Sequence, residues 1–334
     1  MTLLKTTDGS PAQQLPWLQI VVVMVAACAL PFFLSNYHVF QASMVLSTAI
    51  ALVGLNILTG YSGQISLGHG AFLAIGAYTT AILMDKFDVP YWATIPVAGL
   101  VCLIAGFLFG LPALKLEGHY LALATFALAV ALPQLLKFRH LESWTGGVQG
   151  IVILKPDPPI TSLFGLTLNS DRWLYFVALF VTVAMYWFAW NLLRGRIGRA
   201  LIAIRDQPTA AALMGIDTSL YKSLAFGVSA LFTGVAGSLS AILVAFVAPD
   251  SFTVFLSITL MVGMVVGGLT SLAGALYGAA FVQFVPNLAD QISKAAPWAI
   301  FGTLLIVLMI VLPGGISGGL NLLWSKLGRR SVSV

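Results

Sequence analysis

The sequence predicts an all-α, polytopic membrane protein, a single domain over residues 1–334 with about ten transmembrane helices and Gly-rich breaks. Three observations lead there. Hydrophobic residues make up 59% of the chain and charged residues only 8%, against about 25% charged in a soluble globular domain. Apolar runs recur at about 17–25 residues, the length that a hydrocarbon core of about 30 Å asks of a helix. Between the runs, charges and Pro/Gly clusters collect in short segments.

Cutting the chain at those segments places spans near 17–34, 39–59, 65–84, 92–113, 119–136, 173–193, 223–247, 254–270, 272–288 and 297–313. The first begins at Trp17. Val25-Ala26-Ala27-Cys28 resembles the sequence before a lipidated bacterial cysteine. The apolar run nevertheless continues to Leu34, and only Lys5 supplies positive charge ahead of it, so the span is read as retained. The second and third spans are divided by GYSGQISLGHG, residues 60–70. Gly60, Gly63, Gly68 and Gly70 each cost about 1 kcal/mol against Ala inside a helix. Tyr61, Ser62, Gln64, Ser66 and His69 carry polar groups that lipid does not satisfy, so protein or water must surround this break.

The fourth span ends before Lys115 and Glu117, the fifth runs from His119 to Lys137, and the sixth lies between Arg172 and Arg194. The seventh follows Lys222 and ends short of Pro249-Asp250. A second Gly-rich joint, VGGLTSLAG (266–274), divides the eighth from the ninth and repeats the Ser-Leu-small pattern of ISLGHGA. That pair reads either as an internal repeat flanking a pathway or as a chance recurrence. The tenth span ends at Pro313-Gly314-Gly315. Because the third, the ninth and the neighbours of the joints are short, some are expected as half-helices that stop inside the membrane.

Basic residues set the orientation. Residues 194–222 hold Arg194, Arg196, Arg199, Arg205 and Lys222 against Asp206 and Asp217, and the C-terminal tail holds Lys326, Arg329 and Arg330. Both segments are placed in the cytoplasm; with an even number of spans, both termini lie there too. Residues 137–172 then form an external loop with turn chemistry in WTGGVQGI and KPDPP, expected to carry a short helix or two. The net charge of +5 is an orientation signal and not a sign of nucleic-acid binding.

Several function classes lose support. From Trp17 to Met84 the chain has no Asp, Glu, Lys or Arg, and from Ser223 to Ser293 only Asp250 and Asp290, both in predicted external loops. Ion-coupled transport needs ionisable groups at membrane depth. A gradient-driven transporter or channel is therefore disfavoured, although backbone carbonyls at a broken helix remain a possible Na⁺ site. His69 has two readings, a residue hydrogen-bonded to backbone at a helix break or a gating and substrate contact. No HExxH occurs and no lysine follows a glycine, so the GxxxxGK[ST] phosphate loop is missing and no catalytic or metal-ligating residue is assigned. Cys28 and Cys102 lie in apolar runs and read as core residues. What remains is a membrane scaffold, or a pathway subunit of a machine driven from elsewhere.

The cytoplasmic segment 194–222 bears on that choice. Asp206-Gln207-Pro208 is a sound helix start, and Thr209 to Met214 form an Ala-rich turn or two ending at Gly215, a natural C-cap. A short exposed helix flanked by basic residues suits a partner's groove. A plain basic linker is the other reading.

Five ordered stretches carry a family resemblance: GLNILTGYSGQISLGHGAFLAIGAYTTAIL (54–83), GHYLALATFALA (118–129), WTGGVQGI (144–151), GRALIAIRDQPTAAALMGID (198–217) and GMVVGGLTSLAGALYGAAF (263–281). Together they resemble the longer, M-type permease subunit of bacterial ABC importers for branched-chain amino acids, collinear over roughly residues 17–313. The resemblance implies an inner-membrane importer with a second homologous permease, two cytoplasmic ATPases that bind ATP and Mg, and a periplasmic binding protein. It implies no cofactor on this chain. It makes 198–217 the coupling helix, with Arg199, Arg205, Asp206, Ala210, Ala211 and Gly215 as its contact residues. Ala210, Ala211 and Gly215 match the general importer pattern Glu-Ala-Ala, three residues, Gly, with Thr209 in the Glu position. It places the first joint in the pore between two permeases. Gly60, Gly63, Gln64, Ser66, Gly68, His69 and Gly70 are then pathway or helix-break candidates, with Gly267, Gly268 and Ser271 at the second joint. Helix packing alone is the alternative role for these glycines. Relatives of such permeases carry urea, short amides or other neutral amino acids, and no pocket legible in the sequence separates these substrates.

Overall fold

The computed structural model describes residues 17–113, 118–158, 162–163, 166–167, 169–292 and 297–320. The tail cations Lys326, Arg329 and Arg330, and everything before Trp17, lie outside the described residues. The chain runs through α1 (Trp17–Phe33), α2 (Asn36–Leu55), a π-helical turn (Asn56–Tyr61), α3 (His69–Phe87), α4 (Tyr91–Ala113), α5 (His119–Leu136), α6 (Glu142–Thr145) and α7 (Ser170–Arg194). It continues through α8 (Arg196–Asp206), α9 (Pro208–Leu213), α10 (Thr218–Val244), α11 (Val254–Gly267), α12 (Leu272–Ile292) and α13 (Pro297–Val311). Two pairs of very short antiparallel strands accompany them: β1 (Ile151–Val152) with β4 (Phe246–Val247), and β2 (Ser162–Leu163) with β3 (Leu166–Thr167).

Every predicted span coincides with a helix, and seven helical segments among the described residues are long and apolar enough to cross a membrane. The differences sit at the joints. The second span does not stop at 59 but continues through the π-helical turn, where Ser62 N–H reaches back to the Ile57 carbonyl at 3.2 Å. The third starts at His69 and not at 65, because Gly63 takes φ +74° and the chain leaves the helix until residue 69. α11 has 14 residues, about 21 Å at 1.5 Å per residue. It falls short of a full crossing and ends at the second joint, as the half-helix reading expects.

The two ends of the bundle segregate as the span order requires. At one end Trp144 stacks on Phe87, Trp173 Nε1–H donates to Tyr91 Oη at 2.9 Å, Lys137 pairs with Asp250 at 2.5 Å, and Ile151 lies opposite Val247. These contacts join segment 137–172 to the loops after α3 and α10. The predicted external loop is thus folded, with α6 and two strand pairs. At the other end the two Gly-rich joints meet segment 194–222.

α10 is the axis of the bundle, packed against α2, α3 and α4 and buried along most of its 27 residues. Lipid gives helices no hydrophobic reason to associate, so close backbone approach and hydrogen bonding must hold them. The sequence of α10 supplies both. A Cβ at Gly76 would strike the Gly234 carbonyl, and one at Gly237 would strike the Leu73 carbonyl and come within 3.0 Å of Ala77 N. Ser47 Oγ–H donates to the Ala236 carbonyl at 2.8 Å, and Thr80 Oγ1–H to Ser238 Oγ at 2.6 Å. Backbone atoms facing Gly237 cannot yield to a side chain. Gly237→Val is therefore expected to abolish a monodisperse, detergent-solubilised protein or sharply lower its Tm. Gly302→Val, with nothing within 4 Å of its Cβ position, should leave Tm within about 2 °C.

Candidate functional site

The residues singled out from the sequence converge on one end of the bundle and the break that enters it. Residues 62–68 run beside α10 from the level of Lys222 to that of Ser229. That is a climb of about 10 Å at 1.5 Å per residue. Non-helical chain at this depth needs partners within the protein, and each stretch has one. Gln64 Nε2 donates to Ser62 Oγ at 2.8 Å and to the Lys222 carbonyl at 3.2 Å. Leu67 N–H donates to Thr125 Oγ1 at 2.9 Å, and Gly68 lies against the Thr125 backbone. Gly70 N–H donates to Ser257 Oγ at 2.9 Å, joining the start of α3 to α11.

His69 closes this network in the buried interior. Its Nδ1 lies 3.0 Å from Ser66 Oγ and its Nε2 2.6 Å from Ser229 Oγ, while Ser229 Oγ–H donates to the Gly54 carbonyl at 2.6 Å. Since the one Ser229 hydroxyl hydrogen goes to Gly54, Nε2 carries the imidazole hydrogen and Nδ1 accepts from Ser66, an assignment made from the network. A neutral ring with both nitrogens engaged ties α2, α3 and α10 together. The sequence reading of a ring hydrogen-bonded to backbone is corrected in one respect: both partners are serine hydroxyls, and Ser229 passes the link on to the Gly54 carbonyl.

The second joint meets the first through Tyr61 and Ser271, which the sequence singled out, and through Asn56, Thr270 and Ser317, which it did not. Asn56 Nδ2 donates to the Ser271 carbonyl at 3.0 Å, and Asn56 Oδ1 accepts from Thr270 N–H at 2.8 Å. Tyr61 Oη–H donates to the Thr270 carbonyl at 2.7 Å. Ser271 Oγ lies 2.7 Å from Ser317 Oγ and accepts from Gly274 N–H at 3.0 Å. Gly267 packs on Gly274, and Gly268, at φ +115°, on Gly314. An asparagine inside an apolar span was the available signal for Asn56. Thr270 and Ser317 gave none.

Segment 194–222 folds as two helices and not as one coupling helix over 198–217. Pro208 offers no N–H and disfavours helical geometry at the residue before it, and Gln207 takes φ −151°. α8 buries Gly198, Ala200, Leu201 and Ile204 and exposes Arg196 and Arg199. α9 ends in a Schellman motif: Ile216 N–H donates to the Ala211 carbonyl at 3.1 Å and Gly215 N–H to the Ala212 carbonyl at 3.0 Å, with Gly215 at φ +81°. Ala211 is buried, Ala210 is exposed, and the apolar tip projects Leu213 at 88% and Met214 at 83% exposure. Arg199 Nη1 donates to the Arg194 carbonyl at 3.3 Å. Arg205 turns inward, donating from Nη1 to the Gly60 carbonyl at 2.9 Å and from Nε to Asp206 at 2.9 Å, while its stem covers Gly63. Arg205 of α8 and Gly60 and Gly63 of the first break are thus in direct contact. Among the described residues no three His, Cys, Asp or Glu side chains come together as a metal site requires.

Comparison with known proteins gives a consistent answer. The family described as "Branched-chain amino acid transport system / permease component" matches residues 38–313. The chain is 34% identical over 337 residues to the high-affinity branched-chain amino acid transport system permease protein LivM of Salmonella typhimurium, covering 94% of this chain and 77% of that protein. It is 34% identical over 334 residues to LivM of Escherichia coli, with the same coverage. It is 24% identical over 311 residues to the probable branched-chain amino acid transport permease protein LivH of Methanocaldococcus jannaschii, covering 89% and 96%. No solved structure matches the chain.

The His69 network makes a direct prediction. His69→Ala leaves the buried Ser66 hydroxyl without its acceptor and Ser229 Oγ without its ring donor, and is expected to destabilise the purified protein by about 1–3 kcal/mol, read as a lowered Tm in detergent. Thr303→Ala, which removes a hydroxyl bonded only to its own helix at Ala299, should change Tm little.

Proposed function

The chain belongs to the branched-chain amino acid transport system permease family, and from that premise we propose that it is the transmembrane permease subunit of an ATP-driven importer that moves branched-chain amino acids into the cytoplasm. The observation that carries this reading is 34% identity to LivM along 94% of the chain. The helical bundle, with its uncharged spans, supports it. A pathway for a neutral, apolar amino acid needs small, uncharged walls and no tight site for its cargo. The energy then comes from partners: two ATPase subunits that hold ATP and Mg, a second homologous permease that completes the pathway, and a periplasmic protein that delivers the amino acid. On this reading the chain is not an enzyme, and it sits in the bacterial inner membrane with both termini cytoplasmic.

The segment 194–222 is proposed as the docking element for an ATPase subunit. Its support is geometric: α9 is largely exposed, begins at Pro208, is capped at its C-terminus, and presents Leu213 and Met214 next to α8 with its cations. An apolar tip with a basic surround suits a groove with an apolar floor and an acidic rim. Gly215 holds that tip, and a Cβ there would meet nothing within 4 Å. Any effect of substitution therefore acts through the left-handed backbone, at a cost of about 1–2 kcal/mol for most residues and less for Asn.

Two measurements test the reading. Gene-dependent uptake of radiolabelled leucine should be lost when cellular ATP is depleted and should persist when the proton gradient is collapsed with ATP maintained; the reverse pattern makes the chain a secondary transporter. Within the importer, Gly215→Val should insert normally yet reduce uptake about tenfold, while Gly215→Asn, which tolerates the same φ, should retain most of it. Equal uptake by the two variants would remove α9 from the docking role.

A further inference from the structure

The contact between the two Gly-rich joints goes beyond what packing alone requires. Thr270 is β-branched yet held at φ +62°, a left-handed conformation that such residues adopt only when their surroundings enforce it. Two side chains enforce it from the same π-helical turn: Asn56 takes the Thr270 N–H at 2.8 Å, and Tyr61 donates to the Thr270 carbonyl at 2.7 Å. The turn is itself irregular. Single π-helical turns recur at functional sites because one residue more or less in the turn shifts the register of everything after it. Between Asn56 and Tyr61 sits Gly60, whose carbonyl is the acceptor for Arg205 of α8. A continuous path therefore runs from α8 through Arg205 to Gly60, through the π-helical turn to Asn56 and Tyr61, and on to Thr270, Ser271 and Ser317.

We propose that Asn56 and Tyr61 are positioning residues for transport. They lock the α11–α12 joint to the end of α2, and Arg205 carries displacement of the α8–α9 segment into that lock, so that both interrupted helices shift together. The strained Thr270 and the π-helical turn are the bistable parts: released from Asn56 and Tyr61, Thr270 relaxes out of its left-handed conformation and the second joint loses its tie to the first. The proposal rests on the docking role of segment 194–222. It adds which residues receive the displacement and which second joint they move.

The test uses the complete importer, this chain with its partner subunits and binding protein, reconstituted in lipid vesicles. The readout is leucine accumulated per ATP hydrolysed. That ratio does not depend on how much complex assembles, so a merely structural defect leaves it unchanged. Asn56→Ala and Tyr61→Phe should each keep ATP hydrolysis running while lowering the ratio about fivefold. Gly60→Ala should act through the same lock, since its Cβ would press on Asn56 Oδ1 and lie 3.0 Å from Thr270 N. In an Asn56→Ala background Gly60→Ala should then add little. Tyr61→Phe removes a single hydroxyl and decides the matter even where Asn56→Ala fails to assemble: a wild-type ratio for Tyr61→Phe overturns the lock. If the unaltered complex itself shows no ATP-dependent uptake, the importer reading falls, and the lock with it.

Discussion

A helix interrupted inside a bilayer leaves N–H and C=O groups that lipid cannot satisfy, and much of this bundle is arranged to meet that requirement at residues 62–68. Thr125 of α5, the Lys222 carbonyl in the first turns of α10 and the His69–Ser229 pair turn polar groups onto this stretch, and Ser257 of α11 holds Gly70 just beyond it. They come from α5, α10 and α11, so these spans must be close and in fixed register for the break to exist. Glycine at the crossings of α10 permits that closeness. Were α10 lined with leucine, α3 and α4 would stand farther off and the break would lose its partners.

The same requirement explains a contrast within the first joint. The upper part of the first break, from Ser66 to Gly70, faces inward and is saturated with hydrogen bonds among fully buried groups. Its lower part, Gly60 to Gly63, is covered instead by one long side chain, Arg205, that remains 32% exposed. A saturated interior resists change because every group that moves loses a partner. The Gly60 carbonyl, whose side-chain partner is a partly solvated guanidinium, gives up its contact at lower cost. A saturated interior and a partly solvated cover thus adjoin in one stretch, the latter against segment 194–222.

Much of this protein was legible as a sequence. The class, the approximate limits of the apolar helices, the segregation of loops to two ends, the polar breaks at 60–70 and 266–274, and the capped turn ending at Gly215 all follow from properties that a short window of chain contains. Hydropathy, charge and the left-handed preference of glycine are local, and a local reading recovers them. The break at Gln207 was also within reach, since Pro208 forbids the continuous helix that the family resemblance suggested.

What the chain order could not disclose is which polar group answers which. His69 meets Ser229 across 160 residues and Asn56 meets Thr270 across 214, and neither pairing leaves a mark on the residues around it. Arg205 looked like a surface cation offered to a partner; only the folding of α8 against the first joint turned it toward Gly60. Sequence by itself determined that the breaks exist and that protein must surround them, because lipid cannot solvate a peptide group. The tertiary structure alone decided the partners, because hydrogen bonds between spans depend on how helices pack and rotate against one another, a property of the assembled bundle and not of any one helix.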